Sequence, residues 1–213
     1  MSTNGTLTPT SYAILGLLAV KPWTTYELAK QVDQTLSRFW PRTRSKLYEE
    51  PKKLAAAGLA TATASATGRR RSTVYAITPP GRRALADWLA RDAAPPVFES
   101  EHLLKVFYAE NGSTDQLRAT LADLRRWAIE KSGPNVEIGS RYLAGAGAHP
   151  ERLSTLVLTS RFLDDYLELL DRWAAWAETI VADWPADPAT ATPDLAALQE
   201  TVEHARRRVE RSD

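Results

Sequence analysis

Three consecutive arginines, Arg69, Arg70 and Arg71, follow Gly68 in the 213-residue chain. A guanidinium group stays charged at physiological pH and can bond two phosphate oxygens at once. A second set of basic side chains lies earlier in the chain: Arg44, Lys46, Lys52 and Lys53. Two basic clusters in one half of a chain indicate a surface that binds a polyanion.

The charge is divided unevenly along the chain. Residues 1–91 contain 14 lysines and arginines against five aspartates and glutamates, a formal net charge of +9. Residues 92–213 contain 13 basic and 21 acidic residues, a formal net charge of −8. This asymmetry predicts that one domain meets a polyanion and the other does not. With a short linker at Ala93–Pro96, we predict domains at residues 1–92 and 93–213.

The residue types that enzymes use form no catalytic pattern. His102, His149 and His204 are scattered, and the chain has no cysteine. It also has no phosphate-binding loop, no dinucleotide glycine fingerprint and no metal-ligand pair at helical spacing. No apolar run is long enough to span a membrane. We therefore expect a cytoplasmic protein that is not an enzyme and has no cofactor or metal.

Helix start and stop signals predict three helices in the basic half. The first begins after Thr8 as N-cap, and the second begins with a capping box of Thr24 and Glu27. The third is predicted over residues 44–57, with Thr43 as its N-cap and Gly58 as its stop.

The residues after the third helix favour β structure. Strands are predicted over Leu59–Ser65 and Thr73–Ile77, separated by a basic tip from Thr67 to Ser72. Thr78 then caps a fourth helix. The order of three helices, a hairpin and a helix predicts a winged helix-turn-helix domain with a two-stranded wing.

These segments resemble the PadR family of transcriptional regulators over residues 7–90. The resemblance lies in Leu7-Thr8-Pro9-Thr10, Ala13-Ile14-Leu15-Gly16-Leu17-Leu18, Tyr26-Glu27-Leu28, Leu47-Tyr48, Lys52-Lys53-Leu54, Gly58-Leu59, Tyr75-Ala76-Ile77-Thr78, Gly81-Arg82 and Leu85. It implies a dimeric transcription factor, usually a repressor, that a small molecule releases from DNA.

One residue departs from the family pattern. Pro51 stands where the recognition helix of such regulators usually carries an aliphatic residue. Proline removes a backbone hydrogen bond and clashes with the carbonyl four residues earlier. We therefore expect the third helix to kink near Leu47 or to begin later than Arg44.

A winged domain of this kind inserts its third helix into the major groove of double-stranded DNA. Arg44 is the best candidate for a base contact, because a guanidinium can bond guanine through two hydrogen bonds. The predicted DNA-contacting residues are Thr24, Thr25, Tyr26, Arg44, Ser45, Lys46, Tyr48, Lys52, Lys53, Arg69, Arg70 and Arg71. Two alternatives stay open: Tyr48 packs in the core, and Lys52 and Lys53 only keep the surface soluble.

The acidic half is helical and predicts a homodimer. A helix that begins after Ser113 is expected to be interrupted at Pro134, and its apolar residues have heptad-like spacing: Leu117, Leu121, Leu124 and Ala128. A longer helix, Glu151–Trp184, would reach about 50 Å. A compact monomer cannot easily cover the apolar stripes of such a helix. A last amphipathic helix is predicted over Leu195–Arg211.

The sequence therefore predicts a mainly α protein in which a winged helix-turn-helix domain precedes a long-helix dimerisation domain. As a homodimer it would bind a pseudo-palindromic operator, as a repressor with a small apolar or aromatic effector. Trp127, Trp173 and Trp176 either pack within the helices or stack on that effector. The alternative function is a winged-helix module that binds protein or a small ligand instead of DNA, and the +9 charge of residues 1–91 argues against it.

Overall fold

The computed structural model describes residues 7–41, 44–67 and 70–211, without the side chains of Arg44, Ala66, Thr67, Arg70 and Arg71. The chain divides into two compact units, Met1–Pro96 and Val97–Asp213. Within the described ranges, no helix is both long and apolar enough to cross a membrane.

The first unit is a winged helix-turn-helix. Its elements are α1 Pro9–Val20, β1 Trp23–Thr24, α2 Thr25–Thr35, α3 Arg44–Ala56, β2 Ala60–Thr67, β3 Arg70–Ile77 and α4 Pro79–Leu89. The strands form an antiparallel sheet in the order β1-β3-β2. The fold prediction is confirmed, but the sheet has a third strand, because Trp23 and Thr24 pair with Tyr75 and Val74. Two residues are too few to show an alternating pattern in the sequence.

The predicted helix starts at Thr8, Thr24 and Thr78 and the predicted stop at Gly58 are confirmed. The Thr8 side chain accepts a hydrogen bond from the Ser11 N–H at the start of α1, and Thr24 and Glu27 form the capping box of α2. Gly58, after α3, has a φ of 72°, a left-handed conformation that costs glycine little. The side chain of Thr78 accepts a hydrogen bond from the Gly81 N–H at the start of α4.

The core of the first unit is built around α1. Ile14, Leu15 and Leu18 are fully buried there with Leu28 of α2. Tyr12 stacks on Trp88 of α4, with 4.9 Å between the ring centroids. Helix α1 therefore packs against both α2 of the helix-turn-helix and α4, the helix that follows the wing.

The second unit is helical throughout its regular structure. Its elements are α5 Glu101–Phe107, α6 Thr114–Leu143, α7 Leu153–Val181 and α8 Leu195–Glu210, with 3-10 turns at Ala109–Asn111, Pro150–Arg152 and Pro188–Thr190. Its core lies where α6 packs against α7 and contains Leu117, Leu121, Leu124, Ala128, Leu167, Leu170, Ala174 and Val181. The four residues with heptad-like spacing on α6 are therefore all in the core.

The expected interruption at Pro134 is wrong, because α6 continues through it to Leu143. Proline leaves the carbonyl of Glu130 without its helical donor, at a cost of roughly 3 kcal/mol in a helix interior. Pro134 and Glu130 are both exposed, so water can satisfy that carbonyl. The long helix α7 is shorter than predicted, at about 44 Å.

We predict that Gly81→Ala destabilises the first unit. Gly81 is buried, and a Cβ there would lie 2.1 Å from the carbonyl oxygen of Leu59, a backbone atom that cannot rotate away. The free energy of unfolding, measured by urea denaturation, should fall by about 3 kcal/mol. The matched control is Gly16→Ala in α1, where a Cβ meets nothing within 4 Å. That change should raise stability by about 0.5–1 kcal/mol, and equal losses in both variants would contradict the prediction.

Candidate nucleic-acid interface

Helix α3 is fixed by a buried seam along one side. Leu47, Pro51 and Leu54, spaced at positions i, i+4 and i+7, are all buried. They lie where α3 packs against α1, α2 and β2. This spacing repeats at the helical period, so the opposite side of α3 faces away from the core.

The expected effect of Pro51 on the start of α3 is wrong. The helix begins at Arg44 and continues through Pro51 to Ala56. Pro51 is fully buried, so its ring serves as an apolar core side chain. Core packing of this kind offsets the lost backbone hydrogen bond. The predicted N-cap, Thr43, lies outside the described residues.

A buried carboxylate fastens the middle of α3 to the first turn of α1. The Ser11 hydroxyl donates a hydrogen bond to Glu50 Oε1, and Ser11 Oγ accepts one from the Thr8 N–H at 2.9 Å. Glu50 is 9% exposed, and its other oxygen lies 3.9 Å from the ammonium of Lys53. The N-terminus of α1 carries a partial positive charge that favours an acid there. Sequence reasoning missed Glu50, because charged residues on a helix usually face solvent.

The side of α3 opposite the seam carries four exposed residues, Ser45, Tyr48, Glu49 and Lys52, which we call the recognition face. Their spacing of i, i+3, i+4 and i+7 places them on adjacent turns of one side. Tyr48 is 38% exposed, which argues against the alternative that it packs in the core. Lys46 and Lys53 are also exposed on α3, beside this face. Sequence reasoning overlooked Glu49, and the side chain of Arg44 is not described.

The start of α2 already holds a negative charge. The Thr24 N–H and the Thr24 hydroxyl both donate to Glu27 Oε2, each at 2.8 Å. These hydrogen bonds, the backbone one first, hold the pKa of Glu27 below its ordinary value of 4.5. Both donor groups of Thr24 are therefore already used by Glu27. Tyr26 is exposed, and Lys30 lies one turn further along the same side.

The hairpin of β2 and β3, which we call the wing, is longer than predicted. Residue pairs run from Ala60 with Ile77 to Thr67 with Arg70. Arg70 and Arg71 therefore lie in β3 and not in a turn, so the predicted tip from Thr67 to Ser72 is wrong. Arg69 lies outside the described residues. The threonine-rich sequence obscured the strand ends, because Thr suits both strands and turns.

Comparison with known proteins identifies relatives of the first unit and of most of the chain. Residues 14–87 match the family described as the Transcriptional regulator PadR-like family. The negative transcriptional regulator PadR of Bacillus subtilis is 29% identical over 181 residues, which are 80% of this chain and 94% of that protein.

Solved structures share the fold. Bacillus subtilis PadR in complex with operator DNA has a TM-score of 0.68 at 24% identity, over 84% of this chain and 98% of that chain. The same protein in complex with p-coumaric acid has a TM-score of 0.57 at 26% identity, over 83% and 97%. The protein smu.1604c of Streptococcus mutans has a TM-score of 0.66 at 24% identity, over 79% and 99%. The likeness extends beyond the winged unit into the helical one.

Proposed function

We propose that the chain is a PadR-like transcriptional repressor that binds a pseudo-palindromic operator as a homodimer, because residues 14–87 match that family and Bacillus subtilis PadR is 29% identical over 80% of the chain. The match to transcriptional regulators supports a regulator rather than an enzyme. The observation that carries the DNA-binding proposal is the recognition face of α3. Its exposed polar side chains lie opposite a buried seam, so the helix can enter a groove without disturbing its own packing.

In this proposal α3 lies in the major groove, where the recognition face reads bases. The wing and the start of α2 hold phosphates on either side. Phosphate neutralisation supplies most of the affinity, and the +9 charge of residues 1–91 favours it. Bacillus subtilis PadR, which shares this fold, was solved with operator DNA. Binding to chromosomal DNA also supports a cytoplasmic location.

We predict that the wing arginines set the salt dependence of binding. The operator is first selected from a random DNA pool, with half-sites expected about one helical turn, or a multiple, apart. Replacing Arg69, Arg70 and Arg71 with alanine should weaken binding to all sequences and reduce the slope of log K against log salt by up to about 2.7. The measurement is a mobility-shift titration over a range of salt concentrations.

The chain offers a matched control for the wing variant. Arg206, Arg207 and Arg208 form a second run of three arginines, exposed on α8 in the second unit. Their replacement with alanine makes the same change in net charge and should leave the salt slope unchanged. An unchanged slope in the wing variant would contradict its phosphate contacts. Failure to select any sequence would favour the alternative of a protein-binding or ligand-binding module.

The dimer proposal is supported by uncovered apolar surface in the second unit. The core of this unit covers α6 up to Ala128 and α7 from Leu163 onward, and no residue in 129–162 is buried. Exposed apolar side chains in that segment include Val136, Ile138, Leu143, Val157, Leu158 and Phe162. The last helix, α8, also exposes Leu195, Leu198, Val202 and Val209. Exposed apolar side chains that are grouped in one part of a protein are typical of protein interfaces.

We predict that a charge introduced into the uncovered segment, residues 129–162, separates the protomers. Leu158 is 73% exposed and Phe162 is 67% exposed on neighbouring turns of α7. The double variant Leu158→Asp, Phe162→Asp should sediment as a monomer at micromolar concentration, whereas the unaltered protein sediments as a dimer. The matched control is Leu89→Asp, at a 70% exposed position on α4, which should remain dimeric. A monomer before any substitution would contradict the proposal.

We also propose that a small aromatic acid lowers operator affinity by binding the second unit. Bacillus subtilis PadR was solved with p-coumaric acid, and the aromatic residues of the second unit offer stacking partners. Trp127 and Trp176 are partly exposed, whereas Trp173 packs against the core of α6 and α7. Such a ligand lowers operator affinity only if it binds the DNA-bound and the free protein with different affinities.

We predict reciprocal coupling between this ligand and the operator. Titration of p-coumaric acid, followed by tryptophan fluorescence, should give weaker binding when operator DNA is present, by about 5- to 150-fold. The ligand should weaken operator binding by the same factor. The control compound is 3-cyclohexylpropanoic acid, which keeps the carboxylate and lacks the aromatic ring. Equal ligand affinity with and without operator would show binding without regulation and contradict the proposal.

A further inference from the structure

We infer that Glu49 determines base specificity, and that its carboxylate accepts a hydrogen bond from the amino group of a cytosine in each operator half-site. This inference rests on the proposed function, because it requires α3 to lie in the major groove. It concerns the one acidic residue of the recognition face.

The position of Glu49 on α3 is set by the buried seam. Leu47 and Pro51 are buried on one side, and Glu49, two residues from each, is exposed on the other. Ser45 lies one turn before Glu49 and Lys52 nearly one turn after it, so the carboxylate stands in the middle of the face. Glu49 is the sixth residue of α3, within the N-terminal half of the helix, and the N-terminal side chains of a recognition helix are the ones that reach base edges.

Nothing within the described part of the first unit uses the Glu49 carboxylate. The lysine one turn further, Lys53, lies 3.9 Å from Glu50 instead. Glu50 itself accepts a hydrogen bond from Ser11, and Glu27 caps α2. Those two acids have structural partners, whereas Glu49 has no hydrogen bond or ion pair to another described residue. Its contribution to folding is therefore small.

A carboxylate at this point opposes binding to DNA of arbitrary sequence. It adds a negative charge to a surface that approaches phosphates, and the repulsion is the same for every sequence. The cost is offset only where a base presents a donor. Cytosine presents its N4 amino group in the major groove, and Glu side chains accept from it. Adenine presents an amino group beside the N7 acceptor, which repels a carboxylate, so cytosine is favoured.

The test is the base preference of Glu49→Gln. Binding sites are selected from a random DNA pool with the unaltered protein and with the variant. Glutamine both donates and accepts, and it pairs with adenine N6 and N7. The cytosine preference at one position of each half-site should therefore fall about tenfold and shift toward adenine. Affinity for random DNA should rise about twofold, because one negative charge is removed.

The control variant is Asp87→Asn, which removes one exposed negative charge from α4 of the same unit. It should keep the base preference of the unaltered protein at every position. If the unaltered protein selects an operator and Glu49→Gln selects the same bases with the same discrimination, Glu49 is only a solvated charge and the inference fails. If the unaltered protein selects no sequence, the proposed function fails first.

Discussion

The pose of α3 depends on one buried arrangement, in which Leu47, Pro51 and Leu54 pack into the core and Glu50 bonds to Ser11. Apolar burial fixes which side of the helix faces inward but not how far it slides along its axis. The hydrogen bond is directional, so it restrains that sliding. Because a buried charge that loses its partner is costly, the same contact disfavours other poses of α3. Every outward residue of the recognition face takes its position from this arrangement.

The two units use apolar surface in different ways. In the first, the helices and the sheet enclose one core, and the polar recognition face remains outside. In the second, α6 and α7 cover each other only where the core residues lie, up to Ala128 and from Leu163 onward. The expectation that a monomer cannot cover its long helix is therefore correct for residues 153–162 of α7 and wrong for the part of α7 from Leu163 onward. In the proposed homodimer each chain supplies one recognition face, so the second contact with a duplex would form at a high effective concentration.

Sequence reasoning succeeded where a local rule acts without competition. The N-caps Thr8 and Thr24 and the stop at Gly58 are all confirmed. It failed where partners distant in sequence decide. The two-residue strand β1 exists only because β3 lies beside it. The burial of Glu50 depends on Ser11, 39 residues earlier. For the candidate site, the sequence indicated α3, the wing and the outward residues Ser45, Tyr48 and Lys52, but it missed the exposed Glu49 and the buried Glu50.

The adjacent residues Glu49 and Glu50 show why the side of α3 on which a residue lies matters. They have the same side chain, and a step of one residue turns a helix by about 100°. Glu50 is turned toward α1, where it loses water and gains a hydroxyl donor and the favourable end of a helix dipole. Glu49 is turned into solvent and has no hydrogen bond or ion pair to another described residue. One carboxylate therefore stabilises the position of the helix, and the other is available to a ligand that enters from outside. A charge count along the sequence treats the two glutamates as equal. Only the direction of the buried seam on α3 decides which of them is buried and which is exposed.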